Sequence, residues 1–99
     1  MKIITRKFDP SLRQMAIEAP ARSTIVLMRM SPHGECDVVL QAPDEDAPVD
    51  PLQVLVLFED DHVPNGIDMA AWRWVSSWRY PSGRIAHGFA ALPARKPRS

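Results

Sequence analysis

Residues 72–92 read WRWVSSWRYPSGRIAHGFAAL, and the fold turns on whether this stretch is a β-hairpin. All three tryptophans of the chain and its single tyrosine fall within residues 72–80. Trp72, Trp74, Trp78 and Tyr80 are spaced by two residues or a multiple of two, the repeat of side chains on one face of a strand. Tyr80-Pro81-Ser82-Gly83 then supplies a turn. Proline presets φ at about −65°, and glycine two residues later accepts the left-handed conformation of a bulged hairpin loop. If Tyr80 pairs with Arg84, then Trp78 faces Ala86, Ser76 faces Gly88, Trp74 faces Ala90 and Trp72 faces Leu92. Large rings lying over alanine and glycine fit without overpacking, and Arg79–Ile85, Ser77–His87 and Val75–Phe89 line the other face. In this register Arg73 and Arg79 point away from the tryptophans, and only Arg84 shares their face.

The same punctuation occurs at Ser31-Pro32-His33-Gly34 and at Val63-Pro64-Asn65-Gly66. Pairing Ser31 with Glu35 predicts a hairpin over residues 24–41. It brings Arg29 beside Asp37 and Met28 beside Val38, an opposite-charge pair and an apolar pair on adjacent rows. Residues 2–8 alternate, with Ile4 and Phe8 on one face and Ile3, Thr5 and Lys7 on the other. Asp9-Pro10-Ser11 is a turn, residues 14–19 alternate again, and Pro20 ends them. LQVLVLF at 52–58 is apolar on both faces, as a central strand covered on both sides should be. Asp68 is placed to cap a helical turn through Ala71, immediately before the tryptophans. These readings predict an all-β fold, a small antiparallel sandwich or open barrel of about seven strands with little or no helix. Residues 1–92 form a single β domain with an exposed, acidic, proline-rich loop at 41–51, and PARKPRS at 93–99 is a basic flexible tail with nothing to bury.

Composition narrows the class further. A 99-residue chain is one domain with one modest core. Its longest apolar run lies within residues 54–58, far short of the ~20 residues that span a bilayer, and no signal sequence opens it. The single Cys36 forms no internal disulfide, which fits a reducing, cytoplasmic setting, and reads as a small buried hydrophobe rather than a reactive thiol. The net charge is zero, but it is segregated. Residues 35–68 carry acids and no Lys or Arg, residues 69–99 carry bases and no acid, and Lys2, Arg6, Lys7, Arg13, Arg22 and Arg29 dominate the first third. Either copies of the chain associate head to tail as a homo-oligomer or meet a charged partner, or the opposite segments become neighbours in the fold and cancel. Asp44, Glu45, Asp46, Glu59, Asp60 and Asp61 are the candidate acidic surface for a partner.

Chemistry-bearing motifs are sparse. The chain has neither a phosphate-cradling glycine motif nor a CxxC pair. Glu59-Asp60-Asp61-His62 carries metal-ligating groups, but neighbours along a strand point opposite ways, so no metal site is assigned and no cofactor is expected. Ser77 and His87 face each other across the hairpin, yet a nucleophile needs a third orienting group and an oxyanion hole, so no catalytic residue is assigned. Trp72, Trp74, Trp78 and Tyr80 with Arg84 form the candidate binding row. It serves either as a hydrophobic core with part left for a partner or as a platform that stacks bases or nucleotides.

One resemblance bears on origin. The MKII start, Glu18 with Pro20 followed by Ile25, His33-Gly34 at a hairpin tip, Leu57-Phe58 with His62 and Pro64, and a closing strand with His87 and Phe89 occur in the order seen in a family of small phage and prophage proteins of unknown function. The chain resembles that family over most of its length, departing from it where Asp61 replaces the glycine before His62. The resemblance implies a phage or prophage origin, a compact β fold and no enzymatic activity. The function expected is therefore a non-enzymatic accessory protein that binds a host or virion protein. Where it counters a host defence, the target is a protein effector or a small signalling nucleotide. The alternative is a ligand-, nucleotide- or nucleic-acid-binding β module using the aromatic row. No membrane association is expected.

Overall fold

A computed structural model describes residues 1–92; the expected basic tail at 93–99 lies outside the described residues. Seven strands follow in chain order: β1 (Lys2–Phe8), β2 (Gln14–Ile17), β3 (Thr24–Met30), β4 (Cys36–Ala42), β5 (Leu52–Phe58), β6 (Trp72–Arg79) and β7 (Ile85–Ala91). Short 3-10 turns at Pro10–Leu12 and Met69–Ala71 are the only helical segments among the described residues. Each is opened by an aspartate, Asp9 and Asp68, whose side chain accepts an otherwise unpaired backbone N–H. The strands form two antiparallel sheets, β1-β4-β3 and β2-β5-β7-β6, so the fold is the all-β sandwich that the alternation predicts.

Both hairpins close as their turns dictate. Gly34 and Gly83 hold φ of +84° and +91°, a region that glycine enters without a Cβ penalty. The backbone N–H groups of Ser31 and Tyr80 donate across the loops to Glu35 O and Arg84 O. Arg29 lies opposite Asp37 and Trp78 opposite Ala86. By strand polarity, the turns at 9–13, 31–35 and 80–84 and the end of β5 gather at one end of the sandwich, called here the tip.

The register departs from simple alternation at two bulges. One falls between Ile25 and Leu27 of β3, the other between Trp74 and Ser76 of β6. An extra residue turns every side chain before it to the other face. Trp74 therefore pairs with Phe89 rather than Ala90, and Trp72 with Ala91 rather than Leu92. This corrects the expectation that the three tryptophans share a face. Trp78 points inward and is 8% exposed, whereas Trp74 points outward and is 59% exposed. Arg73 is turned inward with Ser76.

The two bulged edge strands meet and join the sheets. Ser76 Oγ accepts the Met28 backbone N–H at 2.9 Å and donates back to Met28 O, and Arg73 Nη2 donates to Ile25 O at 2.9 Å. A serine thus satisfies both polar groups of one residue on an edge that would otherwise be open to pairing.

The core fills the space between the sheets. Phe8, Ile25, Met28, Val38 and Leu40 from one sheet pack against Ile17, Val54, Val56, Trp78 and Ala86 from the other. Phe8 meets Trp78 edge to face, with ring centroids 5.8 Å apart. Gly88 makes room for this contact: a Cβ there would lie 2.6 Å from Met28 Sδ and 3.0 Å from the Trp78 ring. β5 is central, as its two apolar faces predict, and Leu55 is fully buried on the face opposite Val54 and Val56. The connection 59–71 must pass β7 to reach the start of β6, so it runs back along the length of the sheet. The acidic loop is shorter and better anchored than expected. Gln41 and Ala42 belong to β4, and Asp50 N and Ala21 N donate to Ala19 O and Pro48 O, tying residues 48–50 to residues 19–21.

Part of the segregated charge is paired within the chain. Lys2 pairs with Glu45 and Lys7 with Glu35, each at 2.7 Å, while Arg13 and Arg84 both approach Asp61. Exposed pairs of this kind stabilise a fold by about 0–1 kcal/mol, so their meaning is complementarity rather than strength. Among the described residues, no helix is long and apolar enough to cross a membrane.

Candidate functional site

The residues singled out from the sequence separate into four places. Trp78 is core. Trp72 is half-buried at the start of β6, and Trp74 is exposed on the outer face, where its indole N–H donates to Ser77 Oγ at 3.1 Å. Asp44, Glu45 and Asp46 sit beyond the end of β4 that pairs with Lys2, with Glu45 held by that lysine and Asp44 Oδ1 accepting the Asp46 backbone N–H. Glu59, Asp60 and Asp61 follow β5 at the opposite end, so the six acids form two separate groups. Tyr80, Arg84 and Asp61 converge at the tip.

The tip holds an open cleft of about 580 Å³. The 3-10 turn gives it Asp9, Pro10, Ser11 and Arg13; β5 gives Phe58; the β6–β7 loop gives Tyr80, Pro81, Ser82 and Arg84. This volume lies within the range of small-molecule and peptide-side-chain sites. Phe58 and Tyr80 place their ring centroids 6.0 Å apart, and the Arg84 guanidinium carbon lies 3.9 Å from the Phe58 centroid, a cation–π contact. Asp61 Oδ2 lies 3.4 Å from Arg13 Nη2 and 3.9 Å from Arg84 Nη2. That oxygen is buried and accepts no hydrogen bond, so the carboxylate holds both cations by charge without consuming their N–H donors. Arg13 adopts φ +62° and ψ −50°, outside the regions that ordinary residues populate, and its carbonyl accepts Val56 N–H at 2.6 Å. Asp60, next to Asp61, holds φ +69°. Backbone of this kind persists only where its surroundings over-determine it.

Tyr80 divides this cleft from a smaller hollow of about 270 Å³ beside Phe8, Glu35 and Cys36. Its hydroxyl lies 3.6 Å from Cys36 Sγ. Burial raises the pKa of both groups above their ordinary values, which keeps the thiol protonated and unreactive at neutral pH. Asp9 moves the other way, since Ser11 donates to its Oδ1 from both hydroxyl and backbone and favours the carboxylate.

The Ser77–His87 pair forms as the register predicts, with Oγ 2.6 Å from Nδ1. Glu59 Oε1 lies 3.7 Å from His87 Nε2, a third group that the spacing did not place there. The trio lies on the outer face of its sheet, opposite Trp78, and Ser77 Oγ already accepts the Trp74 N–H. Among the described residues, no three or more His, Cys, Asp or Glu side chains group as metal ligands.

Of the residues that line the cleft, only Tyr80 and Arg84 are binding candidates from the sequence; Arg13 and Phe58, which give it a second cation and its aromatic wall, are not. Their signal lay in parity: strand polarity brings the Asp9-Pro10 turn, the end of β5 and the Pro81-Gly83 turn to one end. No family model, curated protein or solved structure matches the chain.

Proposed function

We propose that the protein is a non-enzymatic accessory protein that works by binding a protein partner at the tip cleft. The observation that carries this reading is the convergence of Arg13, Arg84, Phe58 and Tyr80 around one open hollow, with Asp61 holding the cations from behind. Arginine and tyrosine concentrate binding energy at interfaces because each combines a large apolar body with directional donors. A host or virion protein as that partner, and a phage or prophage origin, rest on the family resemblance. The alternative platform of stacked tryptophans has less support, since Trp78 is core, the bulge in β6 turns Trp74 to the outer face, and only Tyr80 and Arg84 of that row line the cleft.

The test is affinity capture from host lysate with three baits: the wild-type chain, the double variant Tyr80→Ala/Arg84→Ala, and Trp74→Ala. A partner recovered by the wild type and by Trp74→Ala but lost with the double variant is the expected result, provided all three melt cooperatively. Retention by the double variant with loss in Trp74→Ala would move the interface to the outer face and overturn the reading.

A further inference from the structure

We infer that the tip cleft recognises a carboxylate on an apolar stem, namely the free C-terminus of a partner polypeptide ending in an apolar residue. This inference rests on the reading of the cleft as the partner-binding surface and names the chemistry it takes. Arg13 and Arg84 arrive from separate elements and direct their Nη2 atoms to the same Asp61 oxygen, at 3.4 and 3.9 Å. Neither closes a hydrogen bond on it. Both arginine side chains are about half exposed and line the cleft, and a carboxylate is the planar, two-oxygen acceptor that such forks fit.

The charge balance favours a single negative charge over a double one. Arg13 and Arg84 set against Asp61 and Asp9 leave no net charge around the cleft. A monoanion between the two guanidiniums adds one charge to this balance, whereas a phosphate dianion adds two and faces the stronger repulsion from Asp61 and Asp9. Beside Ser11 and Ser82 the lining carries an apolar wall: the Arg84 guanidinium lies over the Phe58 ring, Tyr80 tilts beside that ring, and Pro10 and Pro81 complete it. A terminal Leu or Phe side chain fits against this wall while its own carboxylate reaches the guanidiniums. The Arg13 backbone is anchored where its carbonyl accepts Val56 N–H, and its half-exposed side chain is drawn toward the cleft by the charge of Asp61.

Backbone amide chemical shifts of the 15N-labelled protein, titrated with small probes, test this directly. The probes are acetyl-Gly-Phe with a free carboxylate, the same peptide as its C-terminal amide, phenylacetate and phenyl phosphate. The free acid is expected to shift Arg13, Tyr80, Ser82 and Arg84, and the amide to bind about tenfold more weakly or worse, the loss of a charge-assisted pair. Phenylacetate and phenyl phosphate are expected to bind more weakly than the acid peptide. Arg84→Ala should remove the difference between acid and amide. Arg13→Gly should reduce it while keeping the fold, because glycine suits a φ of +62°. Equal binding of acid and amide at these residues would overturn the carboxylate while leaving the cleft as a binding surface. Tighter binding of phenyl phosphate would overturn the monoanion, and phenylacetate matching the peptide would overturn the chain end. Silence of all cleft amides toward every probe overturns the inference, and joined with partner capture that survives Tyr80→Ala/Arg84→Ala it overturns the cleft reading too.

Discussion

Trp78→Ala should lower the unfolding free energy by about 3–5 kcal/mol, the cost of emptying a site that a large aromatic fills. Trp78 is 8% exposed, meets Phe8 edge to face and lies against Gly88, where no side chain is present to move into the void. A domain of this size has about 5–15 kcal/mol in total, so the variant should melt far below the wild type or fail to fold. Trp74→Ala, on the same strand but 59% exposed, should change stability by about 0.5 kcal/mol or less. Urea unfolding of the two variants measures the contrast. Similar losses for both would mean that the rings occupy equivalent positions, against the bulge that separates them.

Ser76→Ala should cost about 2–4 kcal/mol, and its neighbour Ser77→Ala well under half of that. Ser76 Oγ both accepts the N–H and donates to the carbonyl of Met28, a fully buried residue on the edge of the other sheet. Its removal leaves a donor and an acceptor unpaired in a part-buried seam, at about 1–3 kcal/mol for each group. Ser77 bonds to Trp74 and His87 on an exposed face, where water replaces what is lost. Hydrogen exchange adds a local readout: the Met28 amide should lose protection in Ser76→Ala and keep it in Ser77→Ala. Equal protection in both would show that the seam between the sheets is held by something other than this serine.

The strands were legible because the alternation is strong and the turns carry their own chemistry. Pro32-His33-Gly34 and Pro81-Ser82-Gly83 set loop length and therefore register, and the pairs Arg29–Asp37, Ser77–His87 and Trp78–Ala86 follow from it. The bulges were silent for a physical reason. Ile25-Val26-Leu27 and Trp74-Val75-Ser76 contain apolar residues on both parities, so an inserted residue leaves no break in the hydrophobic pattern. Strict alternation therefore places everything before Val75 in β6 on the wrong face. The cleft was half legible. Tyr80, Arg84 and Asp61 carry chemistry that draws notice, but Arg13 reaches the site through a positive φ at the end of a 3-10 turn, and no residue pattern specifies that backbone. In the sequence Asp61 sits in a run of acids that suggests an acidic surface, whereas it is held between two arginines from distant parts of the chain.

The bulge at Val75 divides the aromatic row: Trp78, after it, keeps the register set by the turn and is core, while Trp74, before it, is turned into solvent. Iodide quenching of single-tryptophan proteins measures it directly, with Trp72→Phe/Trp74→Phe retaining Trp78 and Trp72→Phe/Trp78→Phe retaining Trp74. The first should emit at short wavelength and resist quenching, and the second should emit like indole in water and be quenched strongly. Equal accessibility of Trp74 and Trp78 to iodide in folded proteins would contradict the account.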